Sequence, residues 1–151
     1  MKTAKMHGSF QYNDGGREAA GFKGQAGDCV ARAITIASGR SYAEIYARLA
    51  KGTGSQRAGK KGKRSASARN GVNVTRKWFK DLMVELGFVW VPTMTIGSGC
   101  KVHLRADELP AGRLVVSVSG HYTTMIDGVI NDTWNPDRGG TRCVYGYWKL
   151  V

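Results

Sequence analysis

The sequence predicts an α+β fold in which N-terminal helices pack on a C-terminal antiparallel β-sheet. Apolar residues recur at helical spacing between Val30 and Leu86, whereas strand-like runs separated by turn signals follow from Arg113 onward. Helices followed by hairpin-connected strands are typical of a sheet that packs its apolar face on those helices. At 151 residues the chain has the length of one domain, and we expect a single domain over residues 1–151.

The first predicted helix runs from Asp28 to about Ser38 and carries a cysteine in its first turn. Asp28 is a favoured N-cap because its carboxylate accepts free amide hydrogens of the first turn, and Gly39 is a typical C-terminal stop. The partial positive charge of a helix N-terminus stabilises a thiolate, so the position of Cys29 suits a nucleophile. The alternative is that Cys29 is a small apolar core residue. The core-facing stripe of this helix comprises Val30, Ala33, Ile34 and Ala37.

Two more helices are predicted before the sheet. Ser41-Tyr42-Ala43-Glu44 is a capping-box pattern, which starts a second helix that ends at about Ala50. A third helix follows a cap at Asn73 or Thr75 and ends at about Leu86. The residues predicted to face inward from these two helices are Ile45, Leu49, Trp78, Phe79, Leu82, Met83 and Leu86.

Two segments lack the large apolar side chains that a packed core requires. Residues 1–24 are rich in Gly, Lys and small polar residues, and we expect them to form an extended arm. Residues 51–71 contain many Gly, Lys, Arg and Ser but no apolar residue larger than Ala, which predicts a flexible basic loop.

The predicted sheet contains a hairpin whose register places three side chains together. Asp127-Gly128 is a two-residue hairpin signal. With these two residues at the centre of the turn, Thr123 faces Asp132 and His121 faces Trp134, so that His121, Asp132 and Trp134 share one face. A bulge or a longer turn would reverse this conclusion. The predicted strands are 88–91, 114–119, 122–126, 129–134 and 143–148.

The residues on this face, together with the helical cysteine, are of the types that activate a thiol. A carboxylate beside an imidazole fixes its tautomer and stabilises the imidazolium, so Asp132 would orient His121 as a base. An imidazolium near Cys29 favours the thiolate and gives a nucleophile at neutral pH. The indole of Trp134 would cover the pair and exclude water. Taken singly, His121 also fits a surface histidine, Asp132 a turn-side carboxylate and Trp134 a core residue.

The order Cys, His, Asp resembles that of the papain-like cysteine peptidases. These place a nucleophilic Cys at a helix start, a His at the start of a strand and an Asn or Asp on the next strand. The resemblance rests on Asp28-Cys29, Gly120-His121 and Asp132-Thr133-Trp134. It is closer to small papain-fold proteins that phages and bacteria encode, whose Gly-Asp-Cys-Val-x-Arg-Ala start is matched by residues 27–33. The match covers the helical start and the C-terminal sheet well, and the middle of the chain poorly.

The resemblance implies a cysteine-dependent hydrolase, a protease or isopeptidase, that works through an acyl-enzyme on a protein or peptide substrate without a metal or organic cofactor. In the family a Gln ahead of the Cys donates to the oxyanion, and Gln25 is the candidate here, although its spacing is shorter than in papain. A solvent-facing loop residue is the alternative for Gln25. Acyl transfer and deamidation by the same site stay open, since they pass through the same intermediate.

The strong positive charge supports a second hypothesis. The formal net charge is +12, and much of the excess lies between Lys51 and Arg64. Such a run attracts nucleic acid or an acidic protein surface, which would make the chain a basic binding module on a papain-like scaffold. Few aromatic residues interleave with these charges, so nucleic acid is the less favoured partner. A solvated loop that keeps the protein soluble is the remaining alternative.

The cysteines and the hydropathy pattern predict a cytoplasmic protein without membrane contact. Cys29, Cys100 and Cys143 are an odd number without a close pairing motif, and no export signal precedes them, so we expect three free thiols in a reducing compartment. No apolar run approaches the length of a membrane span.

Overall fold

The computed structural model of the chain describes residues 9–21, 29–55, 74–95 and 97–151. Helices between residues 29 and 85 pack on a mostly antiparallel sheet, which confirms the α+β class predicted from the sequence. The described elements are β1 (Ser9–Tyr12), α1 (Cys29–Ser38), α2 (Tyr42–Ser55), α3 (Lys77–Glu85), β2 (Phe88–Pro92), β3 (Arg113–Val118), β4 (His121–Ile126), β5 (Val129–Asp132), a short 3-10 helix (Arg138–Gly140) and β6 (Val144–Leu150).

The sheet has the strand order β1-β5-β4-β3-β6-β2, and its neighbours are antiparallel except for β1 and β5. The strand β1 pairs in parallel with β5, with Ser9 opposite Val129 and Tyr12 opposite Asp132. The arm predicted over residues 1–24 therefore contains an edge strand. All four of its residues are exposed, so no alternation of polar and apolar side chains marks it in the sequence.

Helix α1 begins at Cys29 and ends at Ser38, which confirms the predicted helix over the described residues; the predicted cap Asp28 lies outside them. Gly39 follows with a φ of 77°, in the left-handed region that stops a helix. The helix contacts β4, β3 and α2, so it is buried on more sides than the predicted stripe. Its buried residues are Val30, Ala31, Ala33, Ile34, Thr35, Ile36 and Ala37.

Helix α2 extends beyond the predicted end at Ala50 and reaches Ser55. The start of the predicted basic loop is therefore helical, and residues 56–71 of that loop lie outside the described residues. Tertiary packing explains the extension, because the Trp78 ring occupies the space that a side chain at Gly52 would need and Thr53 is buried. Such contacts outweigh the poor helix propensity of glycine.

The predicted capping box of α2 forms only in part. The Ser41 hydroxyl accepts the backbone N–H of Glu44 at 3.1 Å, as predicted. The Glu44 carboxylate pairs with the guanidinium of Arg40 at 2.8 Å. Helix α3 begins at Lys77 with Arg76 at the N-cap position, so the predicted cap Thr75 is wrong; the other predicted cap, Asn73, lies outside the described residues.

The hairpin between β4 and β5 has the predicted turn and the predicted register. Asp127 and Gly128 both have positive φ, at 49° and 84°, as a two-residue hairpin turn of type I′ requires. The paired positions are Ile126 with Val129, Met125 with Ile130 and Thr124 with Asn131. Strand β5 ends at Asp132, so the predicted end of this strand at Trp134 is wrong and Trp134 follows the observed strand.

Both faces of the sheet are covered. On one face, Val115, Tyr122 and Trp148 pack with the helices. On the other face, strand residues pack with Leu104 and Leu109 from the connection between β2 and β3. Strand alternation assigns His121 and Asp132 to this second face, opposite α1. The strand residues of the second core are Leu114, Val116, Val118, Met125, Ile130 and Val144.

The prediction of three free thiols is wrong for two of the cysteines. Cys100 and Cys143 form a disulfide with their Cα atoms 5.8 Å apart, and Cys29 is free. The two residues are 43 positions apart, and an antiparallel bridge between His103 and Cys143 brings their segments together. Because the two cysteines are far apart in sequence, no local motif predicts their pairing. The predicted cytoplasmic location thereby loses one of its supports.

Among the described residues, no helix is both long and apolar enough to cross a membrane.

Candidate functional site

The carboxylate of Asp132 is the most extensively hydrogen-bonded group of the site. Its Oδ2 atom lies 2.8 Å from Nε2 of His121 and accepts the hydroxyl of Thr123 at 2.6 Å. Its Oδ1 atom accepts the backbone N–H of Thr133 at 2.7 Å. The residue is only 4% exposed. The carboxylate is therefore held in one orientation, and the hydrogen-bond donors that a buried anion needs are in place.

His121 lies between Asp132 and Trp134. Its side chain is 8% exposed, and its ring centroid lies 4.9 Å from that of the Trp134 ring at an interplanar angle of 42°. Trp134 itself is 48% exposed, so it packs on the imidazole at the protein surface. The predicted proximity of His121 to Asp132 and to Trp134 is confirmed, although the strand pairing itself ends at Thr124 and Asn131.

Cys29 is the first residue of α1, and its thiol makes hydrogen bonds with the His121 side chain and the backbone N–H of Tyr122. Burial raises the pKa of the thiol, but these hydrogen bonds and the charges of His121 and Arg32 outweigh burial and bring the pKa below that of a free cysteine. The structure thus brings together the three residues Cys29, His121 and Asp132, which are far apart in sequence.

The pKa of His121 shifts in the opposite direction from that of Cys29. Burial lowers the pKa of His121, but the hydrogen bonds to Asp132 and Cys29 and the charges of these two groups raise it to about 9. A cysteine pKa that is lowered beside a histidine pKa that is raised favours transfer of the thiol proton to the ring. Both shifts therefore act in the same sense, towards a thiolate beside an imidazolium.

The thiol and the imidazole approach each other at the end of the sheet. Cys29 packs against the core on the helix side, whereas strand alternation assigns His121 to the opposite face. His121 is the first residue of β4 and follows Gly120, whose φ is 66°. The two side chains interact there although strand alternation assigns His121 to the face opposite α1.

Two further residues contact Asp132, and sequence reasoning gave neither a role. Thr123 is 1% exposed and bonds the carboxylate. The hairpin register already placed it opposite Asp132, so a signal for it was present. Arg32 follows Cys29 by three positions on α1, and its Nη2 atom lies 3.9 Å from Oδ1 of Asp132. Helical i,i+3 spacing from the cysteine was the available signal for Arg32.

A cavity of about 410 Å³ lies on the helix side of the sheet. Tyr122 is one of its lining residues, and the backbone N–H of the same residue bonds the Cys29 thiol. Trp90 forms one wall, where its ring lies over Gly146 and packs on Trp148 with centroids 5.2 Å apart. The lining residues are Val74, Thr75, Lys80, Trp90, Met94, Ser117, Tyr122, Tyr145 and Trp148.

The predicted oxyanion donor Gln25 lies outside the described residues. Within the described part of the chain, no group of three His, Cys, Asp or Glu side chains is placed to hold a metal ion. The chain matches no family model, no curated protein and no solved structure.

Proposed function

We propose that this protein is a cysteine-dependent hydrolase of papain-like architecture that cleaves an amide bond in a peptide or protein through an acyl-enzyme. The observation that carries the proposal is the continuous chain of hydrogen bonds from Cys29 to His121 and from His121 to Asp132. A nucleophile, a base in contact with it and a group that orients the base are the parts that covalent catalysis requires.

In the acylation step the Cys29 thiolate attacks the carbonyl carbon of the substrate, and the carbonyl oxygen takes the electron pair. The His121 imidazolium then donates its proton to the amide nitrogen as the carbon–nitrogen bond breaks. The amine leaves, and a thioester between the substrate acyl group and Cys29 remains. The raised pKa of His121 matches this task, because the ring is protonated when the amine needs a proton.

In the deacylation step His121, now neutral, takes a proton from a water molecule that attacks the thioester. The carbon–sulfur bond breaks, the carboxylic acid leaves, and the thiolate–imidazolium pair is restored. Asp132 stays ionised throughout and holds the ring in the tautomer that points the other nitrogen towards Cys29. An amine in place of the water gives acyl transfer, and a side-chain amide as substrate gives deamidation.

The oxyanion formed in both steps requires hydrogen-bond donors near Cys29. The backbone N–H of Cys29 is suited to this, since the first N–H groups of a helix have no partner within the helix. We assign the second donor to Gln25, on the resemblance to papain-like peptidases.

The cavity that Tyr122 lines suggests which side chain the substrate presents. Its aromatic walls favour a large apolar group, and Lys80 at the same cavity favours an acidic group close by. An acidic substrate also suits the net charge of +12. A cytoplasmic site of action remains a prediction, and the Cys100–Cys143 disulfide argues against it because such bonds are typical of oxidising compartments.

The proposal is tested with an acyl-directed electrophilic probe and a series of fluorogenic peptide amides. We expect the wild type to be acylated at Cys29 and to release amine, with a rate that declines above about pH 9 as His121 loses its proton. Cys29→Ala and His121→Ala should abolish both signals. The matched control is His103→Ala, because His103 also bonds a carboxylate, Glu108, at 3.1 Å.

Binding without chemistry is the competing outcome. If Cys29 alkylates with the pH dependence of an ordinary thiol and no acyl-enzyme forms, the hydrolase proposal is wrong. Retention on heparin that vanishes when the lysines and arginines of residues 60–64 are neutralised would then support the basic binding module.

A further inference from the structure

We propose that Arg32 is a positioning residue of the Cys29–His121–Asp132 site, where its guanidinium balances the second of two buried negative charges. This inference rests on the proposed function and extends it to a residue that the resemblance to papain-like peptidases leaves without a role.

The position of Arg32 places one cation near both anions of the site. Arg32 is three residues beyond Cys29 on α1, so the two side chains leave the helix on the same side. Its Nη2 atom lies 3.9 Å from Oδ1 of Asp132, and its side chain is 12% exposed. A separation of 3.9 Å is an ion-pair distance and exceeds a normal hydrogen bond. The contact therefore acts through the attraction of opposite charges and not as a directional hydrogen bond.

The charge balance of the site explains why a second cation is needed. When the thiol loses its proton beside a protonated His121, the site holds two anions, Cys29 and Asp132, and the imidazolium as one cation. With Arg32 there are two cations, and the buried group as a whole is neutral. Without Arg32 one negative charge is left uncompensated in a region of low dielectric, which disfavours ionisation of the thiol.

The three hydrogen bonds of Asp132 separate this role from a purely structural one. His121, Thr123 and the Thr133 backbone N–H all bond the carboxylate independently of Arg32. Removing the guanidinium should therefore leave the carboxylate in place. What changes is the electrostatic potential at the sulfur.

The groups that act on the thiol come from two elements, Arg32 from α1 and His121 and Tyr122 from β4, while Asp132 from β5 bonds His121. Burial raises the pKa of Cys29, while hydrogen bonds from His121 and Tyr122 and the charges of His121 and Arg32 lower it. Arg32 is thus one of the two residues whose positive charge stabilises the thiolate. This lowering of the Cys29 pKa by Arg32 agrees with the position of the guanidinium beside Asp132.

The experiment measures alkylation of Cys29 by iodoacetamide as a function of pH in the intact, oxidised protein. We expect Arg32→Met to move the acidic limb of the profile to higher pH by about one unit, which is a tenfold loss of rate on that limb. The plateau at higher pH should stay unchanged. Arg32→Gln tests the same point with a polar side chain, and Arg32→Lys should restore most of the wild-type profile.

The matched control is Arg48→Met. Arg48 makes an ion pair with Glu85 at 2.6 Å, and its loss should leave the alkylation profile unchanged. The inference is overturned if the Arg32→Met and Arg32→Gln profiles coincide with the wild type, or if Arg32→Lys shifts the profile as far as they do. Loss of the native circular dichroism in both uncharged variants also overturns the inference. It would show that the three hydrogen bonds of Asp132 do not hold the site without Arg32.

This measurement is independent of amide cleavage. If the wild type shows a low-pKa thiol that Arg32→Met shifts, but forms no acyl-enzyme, the proposed hydrolase fails while the role of Arg32 stands. If acylation occurs and Arg32→Met changes no limb of the profile, the hydrolase stands and the role of Arg32 fails.

Discussion

Nε2 of His121 lies 2.8 Å from Oδ2 of Asp132, across a hairpin whose turn residues fix the register of both strands. The same oxygen accepts the Thr123 hydroxyl, so the imidazole is bonded to a carboxylate that cannot rotate freely. The other side of the ring bonds a cysteine at the start of a helix. This arrangement joins a local feature of the chain, the hairpin, to a distant one, the helix.

Asp132→Ala should lower the rate of Cys29 acylation at pH 7 by about a hundredfold, in the lower range for general acid–base groups. The reason is that His121 loses both its orientation and the charge that raises its pKa, so the basic limb of the pH profile moves to lower pH. Stopped-flow acylation across the pH range measures this. Asp107→Ala is the control, because Asp107 makes an exposed pair with Arg105 at 2.9 Å. Equal losses in the two variants would contradict the assignment.

The stability of Cys29→Ala should fall as the pH rises above about 6.5, whereas the wild type should change less between pH 6.5 and 8.5. In the wild type Asp132 and Cys29 together raise the pKa of His121 to about 9, and in Cys29→Ala the part due to Asp132 remains. The contribution of a raised histidine is fully present below its unfolded pKa and is lost as the pH rises through the folded value. The lowered pKa of Cys29 contributes with the opposite sign, being lost as the pH falls. In the wild type the two contributions oppose each other.

Urea unfolding at a series of pH values measures this difference. Cys29→Ala keeps the hydrogen bond between His121 and Asp132. The pH dependence of its stability therefore reports the contribution of His121 without the opposing contribution of Cys29. The double variant Cys29→Ala/His121→Gln should lose the decline. A decline of the same size in the double variant would assign it to another group.

Trp90→Ala should reduce kcat/KM for substrates with a large apolar side chain by about tenfold and leave iodoacetamide alkylation unchanged. Trp90 forms a wall of the cavity, and its loss removes apolar contact area that the substrate would bury. Fluorogenic amides that differ only in this side chain measure the effect. Val84→Ala on α3 is the control, since Val84 is 65% exposed. An unchanged preference among the amides in Trp90→Ala would exclude the cavity as the recognition site.

Cys100→Ser/Cys143→Ser should lower the free energy of unfolding by about 4 kcal/mol, because the bond closes a loop with a sequence separation of 43 and restricts the unfolded chain. Urea unfolding with and without reductant measures this, and reductant should have no effect on the double variant. An unchanged wild-type midpoint in reductant would show that the bond contributes little. Acylation of Cys29 should continue in the double variant.

The hairpin and the helices were predictable because each follows from residues close in sequence. Asp127 and Gly128 adopt the positive φ that a two-residue turn demands, and this turn sets the pairs that place His121 and Asp132 on one face. The helical cysteine was predictable from the apolar stripe that follows it. The edge strand β1 and the last turn of α2 were missed, since contacts distant in sequence determine them.

The sequence by itself determined the α+β class, the register of the hairpin and the presence of a cysteine at a helix start, because short-range periodicity and turn chemistry specify them. Only the tertiary structure decided that Cys29 contacts His121 at the end of the sheet, that Arg32 lies beside Asp132 and that Cys100 pairs with Cys143. Each of these contacts joins segments that packing, rather than local sequence, brings into reach.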